Sequence, residues 1–204
     1  MSDANRTNVD TASAVHTGSG NLIVGGSFVP VPTLPTNGSN LPNRHPTFVG
    51  RAAELGQIKE ALESRAWIVT IDGMGGIGKT TLALEASHYC RDSKGGFPPF
   101  DGYIWLSARD RPNFCLADVC VEIVSILSPI PVDRSEIAIV ISSAKRLLSE
   151  RPRLIVIDNF ETVGDETLFS FLRDLPQPSK AIVPILFKPC LDIATCSNRA
   201  HCEI

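Results

Sequence analysis

One stretch of the sequence joins an apolar run to a glycine-rich loop, and it limits the possible folds more than any other. Residues 67–71 are β-branched and aromatic, which favours a buried strand. The residues at 73–80, Gly-Met-Gly-Gly-Ile-Gly-Lys-Thr, match the pattern G-x-x-x-x-G-K-[ST] without mismatch. A helix-compatible run follows at 81–86. We therefore predict a strand, a phosphate-binding loop and a helix in direct succession.

The residue types in this loop suit a polyphosphate ligand. Glycines permit positive φ and let backbone N–H groups approach a phosphate closely. The N-terminus of the following helix adds partial positive charge. Lys79 is expected to neutralise the β- and γ-phosphates, and Thr80 to place its hydroxyl on Mg²⁺. The candidate nucleotide-binding residues of the loop are Gly73, Met74, Gly75, Gly76, Ile77, Gly78, Lys79, Thr80 and Thr81.

A second stretch ends an apolar run in an acid. The run Leu-Ile-Val-Ile at 154–157 predicts a buried parallel strand, and Asp158 follows at its carboxyl end. Open α/β sheets bind ligands at that edge, so Asp158 can meet the Mg²⁺ held by Thr80, directly or through water. Glu161 could orient an attacking water, although a solvated acid at the start of a loop explains it equally well. Asp158 and Glu161 are the candidate catalytic residues, and Thr80 and Asp158 the candidate metal ligands.

The composition fits one α/β domain preceded by a polar segment. The chain has 204 residues, of which 43% are hydrophobic and 20% charged, enough for one such domain. Residues 1–46 are rich in Asn, Thr, Ser, Gly and Pro and are predicted to be largely disordered. Within them, residues 15–26 place a short β-prone run between glycines. This run is either a linker or a segment that pairs with copies of itself in a cross-β stack.

Charge and hydropathy give no sign of a nucleic-acid-binding surface, a membrane-spanning segment or a secretion signal. A net charge of −3 gives no broad electrostatic footprint for nucleic acid or an anionic membrane. No apolar run approaches the about 20 residues that cross a bilayer, and the first residues lack the apolar core of a signal peptide. A cytoplasmic, reducing location is therefore expected, with Cys90, Cys115 and Cys120 as free thiols.

Hydrophobic periodicity predicts the remaining elements. Four helices are predicted from apolar residues at helical spacing, and one further strand from a β-prone run. The helices fall at 52–62, 114–127, 135–150 (with Ser135 as N-cap) and 165–174, and the strand at 102–107.

Three segments, taken in order, carry a resemblance to a known family. They are Phe-Val-Gly-Arg at 48–51, Gly-Met-Gly-Gly-Ile-Gly-Lys-Thr-Thr-Leu-Ala at 73–83 and Leu-Ile-Val-Ile-Asp-Asn-Phe-Glu at 154–161. Over about residues 46–183 the chain resembles the NB-ARC type of STAND ATPase, the nucleotide switches of plant resistance proteins, apoptosome scaffolds and NLR-like regulators. The resemblance implies a P-loop NTPase fold, an α/β parallel sheet flanked by helices. It also implies ADP in the resting state, ATP in the active state, and Val49, Gly50 and Arg51 on the adenine side.

The sequence departs from this family after Asp158. In the family, the next strand lies between the phosphate-loop strand and the Asp158 strand and usually ends in an arginine that reads the γ-phosphate. Here residues 180–183 begin as expected, but Pro184 follows, which removes a ladder hydrogen bond, and no such arginine appears. Residues 188–204 are interpreted as an atypical tail, because of truncation or an altered reading frame. A zinc site at Cys190, Cys196, His201 and Cys202 is disfavoured because their spacing forms no paired C-x₂-C.

The leading interpretation is an ADP/ATP- and Mg²⁺-binding switch module of a signalling or defence ATPase, at 47–187. Hydrolysis is expected to be slow or absent, because the sensor arginine and a clear catalytic acid are missing. The alternatives are an assembly segment built on residues 15–26 and a different, AAA-like P-loop ATPase. Besides nucleotide, the expected partners are copies of the chain or other proteins, bound through family regions missing here. Neither a membrane nor a nucleic acid is expected.

Overall fold

The computed structural model describes residues 38–128, 133–186 and 199–204 in full, and the backbone of three short strands before them. The chain divides into two compact units, Met1–Leu34 and Pro35–Ile204. In the first unit, three strands form an antiparallel sheet in the order β1-β2-β3: β1 (Val15–Thr17), β2 (Asn21–Val24) and β3 (Ser27–Pro30). The β-prone segment at 15–26 therefore contains two of these strands. The other residues of 1–37, including 18–20 and 25–26, lie outside the described residues.

The second unit alternates strands and helices along the chain. It consists of α1 (Ala52–Glu63), β4 (Ile68–Gly73), α2 (Lys79–Arg91), β5 (Tyr103–Ser107), α3 (Leu116–Leu127), α4 (Ile137–Glu150), β6 (Leu154–Asp158), α5 (Glu166–Arg173), β7 (Lys180–Leu186) and β8 (Arg199–Glu203). No helix among the described residues is long and apolar enough to cross a membrane.

The five strands of this unit form one parallel sheet in the order β5-β6-β7-β4-β8. Strand β7 therefore lies between the phosphate-loop strand β4 and the Asp158 strand β6, which confirms the order that the family resemblance implied. Parallel strands all present their carboxyl ends at one edge. The phosphate-binding loop and Asp158 consequently meet at that edge.

Helices cover both faces of the sheet, as the near-continuous apolar strands require. On one face, α3, α4 and α5 pack against side chains such as Ile104, Ile155 and Val183. On the other, α1 and α2 pack against side chains such as Val69 and Ile182. This second layer places the N-terminus of α2 beside the carboxyl edge of β4.

Strand β7 continues through Pro184 in the middle of the sheet. Along a parallel strand the N–H groups point to alternate neighbours: that of Ala181 faces β4 and that of Lys180 faces β6. Pro184 is in phase with Lys180, so its nitrogen faces β6. The β6–β7 ladder ends at Val156 and Ile182, before Pro184 is reached. The missing N–H of Pro184 therefore leaves the pairing of β7 with β4 intact. Pro184 lies where β7 is no longer paired with β6.

The packed chain begins before the predicted boundary at residue 47. Residues 38–48 are called here the N-terminal strap, and the first of them, 38–40, run along the outer edge of β5. The N–H of Tyr103 donates to Gly38 O at 3.0 Å, and the Asn40 side chain exchanges two hydrogen bonds with the backbone of Trp105, at 2.6 and 2.8 Å. The strap thus satisfies an edge that would otherwise present unpaired backbone groups.

The interpretation of residues 188–204 as an atypical tail is corrected for its last residues. Strand β8 pairs in parallel with β4, from Ile68↔Arg199 to Asp72↔Glu203. Cys202 is buried in the α1/α2 core, while Cys190 and Cys196 lie outside the described residues. Residues 199–203 are therefore the fifth strand of the sheet.

The predicted helices are present, with one wrong cap. Ser135 is not the N-cap of α4; it lies in a 3₁₀ turn (Arg134–Glu136) that Asp133 caps by accepting the Ser135 N–H. The β-branched residues that follow enter the helix only from Ile137. Cys90, Cys115 and Cys120 are free thiols, as predicted.

Candidate functional site

The glycine-rich loop leads from β4 directly into α2. Gly76 and Gly78 adopt φ values of 76° and 99°, which L side chains rarely adopt. Gly78 is also the N-cap of α2, and a glycine has no side chain to satisfy the first helical N–H groups. Those amides and the helix dipole can therefore interact with a bound anion.

Lys79 is held against the loop that precedes it. Its ammonium donates to Gly73 O at 3.0 Å and to Met74 O at 2.8 Å, and the residue is 9% exposed. A lysine ammonium has three donors, so one proton remains available. The loop carbonyls thereby aim a buried cation at the space beside the N-terminus of α2.

Thr80 joins the loop to the end of β6. Its hydroxyl donates to Asp158 Oδ1 at 2.6 Å, and Asp158 is buried. The chain turns sharply after Asp158, because Asn159 is left-handed at φ 59°. This turn leads into a short 3₁₀ segment, Phe160–Thr162, which contains Glu161.

These groups surround a cavity of about 390 Å³ at the carboxyl edge of the sheet. Eight of the predicted site residues line it: Gly75, Gly76, Gly78, Lys79, Thr80, Thr81, Asp158 and Glu161. Glu161 Oε2 is shielded from solvent and has no hydrogen-bond partner among the described residues. The structure thus brings the two predicted catalytic acids and the phosphate-binding loop into one cavity.

The other predicted residues do not line the cavity: Val49, Gly50, Arg51, Gly73, Met74 and Ile77. The Arg51 guanidinium donates to Ile77 O, so it supports the loop from outside. Val49 is exposed, and Gly50 precedes the left-handed Arg51 at the start of α1. Gly73 lies where an added Cβ would approach Ile204 O to 2.8 Å, which explains a glycine there without any ligand.

Four residues that line the cavity were missed by the sequence interpretation: Arg109, Asn159, Pro184 and Leu186. Asn159 and Arg109 follow β6 and β5 at the same carboxyl edge. The available signal was therefore topological, since residues just after parallel strands converge there. Pro184 and Leu186 make the β7 side of the cavity apolar.

A polar cluster lies on β4 and β8, next to the loop. Asp72 is buried, accepts from Arg199 Nη2 at 3.0 Å and contacts His201 Nδ1. Its Oδ1 has no partner among the described residues. Burial raises the pKa of Asp72 above its ordinary value, against the opposing charges of His201 and Arg199. None of these three side chains lines the cavity.

The donor set at Thr80 and Asp158 suits Mg²⁺. A hydroxyl and a carboxylate are hard oxygen ligands, and Mg²⁺ is commonly bound by one or two protein oxygens with phosphates and waters completing the shell. Among the residues described, no group of three or more His, Cys, Asp and Glu side chains could hold a metal alone. The site therefore fits an ion that arrives with its phosphate ligand.

One family model and two curated relatives are similar in sequence to this chain. The model of the NB-ARC domain matches residues 51–173. The chain is 30% identical over 149 residues to the transcription activator GutR of Bacillus subtilis (strain 168). It is 32% identical over 122 residues to a nucleotide-binding leucine-rich repeat (NLR)-like protein of Hyaloscypha variabilis. These matches cover 71% and 55% of this chain but only 18% and 11% of the two relatives.

Solved structures show the same fold at low identity. The Aeropyrum pernix ORC2 protein (ADPNP-ADP complexes) has a TM-score of 0.56 at 17% identity, over 79% of this chain and 50% of that one. Cdc6p from Pyrobaculum aerophilum has a TM-score of 0.53 at 15% identity, over 79% and 46%. Identities this low support a shared fold and carry no conclusion about function.

Proposed function

Because the chain belongs to the NB-ARC family of P-loop ATPases, we propose that it is an ADP/ATP-binding switch module of a signalling or defence regulator. Family membership implies nucleotide binding. The observation that carries the proposal is the 2.6 Å hydrogen bond from Thr80 Oγ1 to Asp158 Oδ1, between residues 78 positions apart. It brings together the two groups that a Mg²⁺-nucleotide site requires. The chain spans only 18% and 11% of its two curated relatives, so the signalling role is part of the proposal.

In the proposed site, the loop and α2 hold the phosphates. The uncapped amides at the start of α2 and the positive-φ glycines Gly76 and Gly78 point backbone donors at an anion. Lys79 is preorganised by its bonds to Gly73 O and Met74 O, and it keeps one proton for a phosphate oxygen. Arg51 stiffens the loop from outside through Ile77 O. An adenine position near Val49 and Gly50 is consistent with where α1 begins.

Thr80 and Asp158 would hold Mg²⁺. When bound, the ion would neutralise charge on the phosphates. The Thr80 hydroxyl donates to Asp158, which holds the two oxygens close together. The same bond fixes the first turn of α2 against the end of β6.

Hydrolysis is proposed to be slow. Glu161 is the acid best placed to orient a water, since it lines the cavity and its Oε2 has no described partner. The β7 side of the cavity carries Pro184 and Leu186, which offer no charge to a transition state. A switch that holds its nucleotide for long periods fits such a site better than a fast ATPase does.

Calorimetric titration with Mg²⁺-ADP and Mg²⁺-ATP tests the proposal. The wild-type chain should bind both nucleotides, and Lys79→Ala should weaken binding by about 100-fold or more, about 2.7 kcal/mol. Lys145→Ala, which removes an exposed lysine of α4 outside the cavity, serves as the matched control and should bind like the wild type. A wild-type chain that binds neither nucleotide at millimolar concentration would refute the proposal.

A second candidate function is assembly through the N-terminal unit. The observation in its favour is that residues 15–30 contain three short strands in one antiparallel sheet. Short β-forming segments can stack between chains as cross-β fibrils. Synthetic peptides covering 15–26 and 15–30 should then form thioflavin-T-positive fibrils, the longer one faster. Peptides that stay monomeric would remove this candidate.

A further inference from the structure

The cavity contains an arginine side chain that the fold itself does not use. Arg109 lines the cavity together with Lys79, Asp158 and Glu161. It is exposed, and its side chain forms no hydrogen bond or ion pair with any described residue; its backbone N–H donates to Ser107 Oγ. Although two carboxylates line the same cavity, Arg109 pairs with neither. Its guanidinium is therefore available to a ligand.

The neighbouring Arg111, in contrast to Arg109, has partners within the protein and therefore a structural role in this loop. Its Nη1 donates to Glu122 at 2.6 Å and its Nη2 lies 3.6 Å from Asp118. Its guanidinium also lies over the Phe114 ring, 4.5 Å from the centroid. Arg111 thus fastens the loop to α3, and the loop needs no second cation for that purpose.

The backbone under Arg109 is fixed relative to Asp158. Ser107 is the register partner of Asp158, and the N–H of Ala108 donates to Asp158 O at 3.0 Å. The following turn closes with a hydrogen bond from the Arg111 N–H to Ala108 O at 3.2 Å. The side chain of Arg109 is thus free, while its Cα is tied to the proposed metal ligand.

The strand order gives a direction across the cavity. From the loop after β4, the carboxyl edge passes β7, then β6 with Asp158, and then β5 with Arg109. A phosphate chain anchored at the N-terminus of α2 and at Lys79 would extend from the loop towards β6, because the cavity lined by both continues to Asp158 and Arg109. Each added phosphate would then lie nearer to β5. Since β7 contributes the apolar Pro184 and Leu186, Arg109 is the cation lining the cavity on that far side among the described residues.

We propose that Arg109 binds the terminal phosphate of a nucleoside triphosphate and thereby distinguishes triphosphate from diphosphate in this site. The proposal rests on the nucleotide-binding function proposed above. A guanidinium presents a planar fork of donors that matches phosphate oxygens, and such charge-assisted hydrogen bonds are about twice as strong as neutral ones. A diphosphate held at the loop is one phosphate shorter and does not reach Arg109.

Titrations of the full chain with Mg²⁺-ADP and with a Mg²⁺-bound non-hydrolysable ATP analogue test this role. Arg109→Ala should lose affinity for the triphosphate by about tenfold or more and change affinity for ADP by less than about twofold. Arg109→Lys should regain part of the loss, because it restores the charge without the fork. Arg65→Ala removes another exposed arginine that lies outside the cavity, and it should leave both affinities unchanged.

The outcomes separate this inference from the function on which it rests. Equal losses for both nucleotides, or no loss for either, would overturn the role of Arg109 while leaving a nucleotide site in place. Absence of binding to the wild-type chain would overturn both. Thermal melts of each variant without ligand show whether an affinity loss reflects unfolding, and Arg109→Ala should melt as the wild type does.

Discussion

The two ends of α2 are held by different partners. At the first turn, Lys79 and Thr80 contact the loop and Asp158, at the wall of an open cavity. Along the last turns, Glu85, His88 and Asp92 all contact the N-terminal strap. The first set of bonds leaves donors free for a ligand, whereas the second set is closed within the protein. Nucleotide affinity and folding stability should therefore be separable by mutations in one helix.

At the first turn of α2, a large loss of nucleotide affinity is expected on substitution of Thr80. Thr80→Val keeps the β-branched shape but removes the hydroxyl that would bind Mg²⁺ and that now donates to Asp158. We expect nucleotide affinity in Mg²⁺ to fall by about 10- to 100-fold, or about 1.4–2.7 kcal/mol. The same titration in EDTA should show little difference from the wild type. Thr80→Ser keeps the hydroxyl and should restore most of the affinity. A loss of equal size in EDTA would mean that Thr80 acts on the nucleotide without the metal.

A change of similar size in stability, without a change in affinity, is expected at Arg44. Its guanidinium donates to Glu85 and Asp92 at 2.6 Å each and lies 5.6 Å from the Tyr89 ring centroid. Arg44→Ala leaves the Glu85 carboxylate, only 8% exposed, without its cation. Since Arg44 is partly exposed, we expect unfolding in urea to lose about 1–2 kcal/mol. A nucleotide Kd that changes along with stability would show that the two ends of α2 are coupled.

The smallest expected effect is a pH dependence at His88. Its Nε2 donates to Pro42 O at 2.8 Å, and its buried Nδ1 has no partner among the described residues. Burial lowers the pKa of His88, and Arg91 and Arg44 lower it further, against the opposing effects of the Pro42 bond and Glu85. As pH falls through about 6.5, the unfolded chain binds a proton that the folded chain does not. The free energy of unfolding should then decrease, by at most about 1.4 kcal/mol per pH unit.

Urea unfolding of the wild type and of His88→Gln checks this sign. Gln can still donate to Pro42 O but does not titrate, so it is the matched control. Between pH of about 7.5 and about 5.5, the wild type should lose more stability than the variant. An equal or smaller loss in the wild type would show that His88 is not the group responsible.

Some parts of the structure could be predicted from local sequence. The strand, loop and helix at 67–86 were predictable because the residue pattern and the ligand chemistry agree within one short stretch. The position of β7 followed from the family resemblance. Asp158 was identified because an acid at the end of an apolar run has a defined place at the edge of a parallel sheet.

The missed features depend on contacts between distant residues. Asn40 bonds to the backbone of Trp105, 65 positions away, and nothing in the strap's polar sequence indicates an edge to be covered. Strand β8 directs only Ala200 and Cys202 into the core, a pattern too short for period-two alternation to be recognised. Arg109 belongs to no motif and reaches the cavity only because the sheet order places β5 beside β6.

Hydrogen exchange followed by mass spectrometry, with and without Mg²⁺-ADP, tests which end of α2 binds the nucleotide. If the loop and first turn of α2 hold the nucleotide, protection should increase in peptides covering 73–81. Peptides covering 85–92, where α2 contacts the strap, should exchange as before. Equal protection of both segments, or no change in either at saturating nucleotide, would contradict a nucleotide site confined to the loop and the first turn of α2.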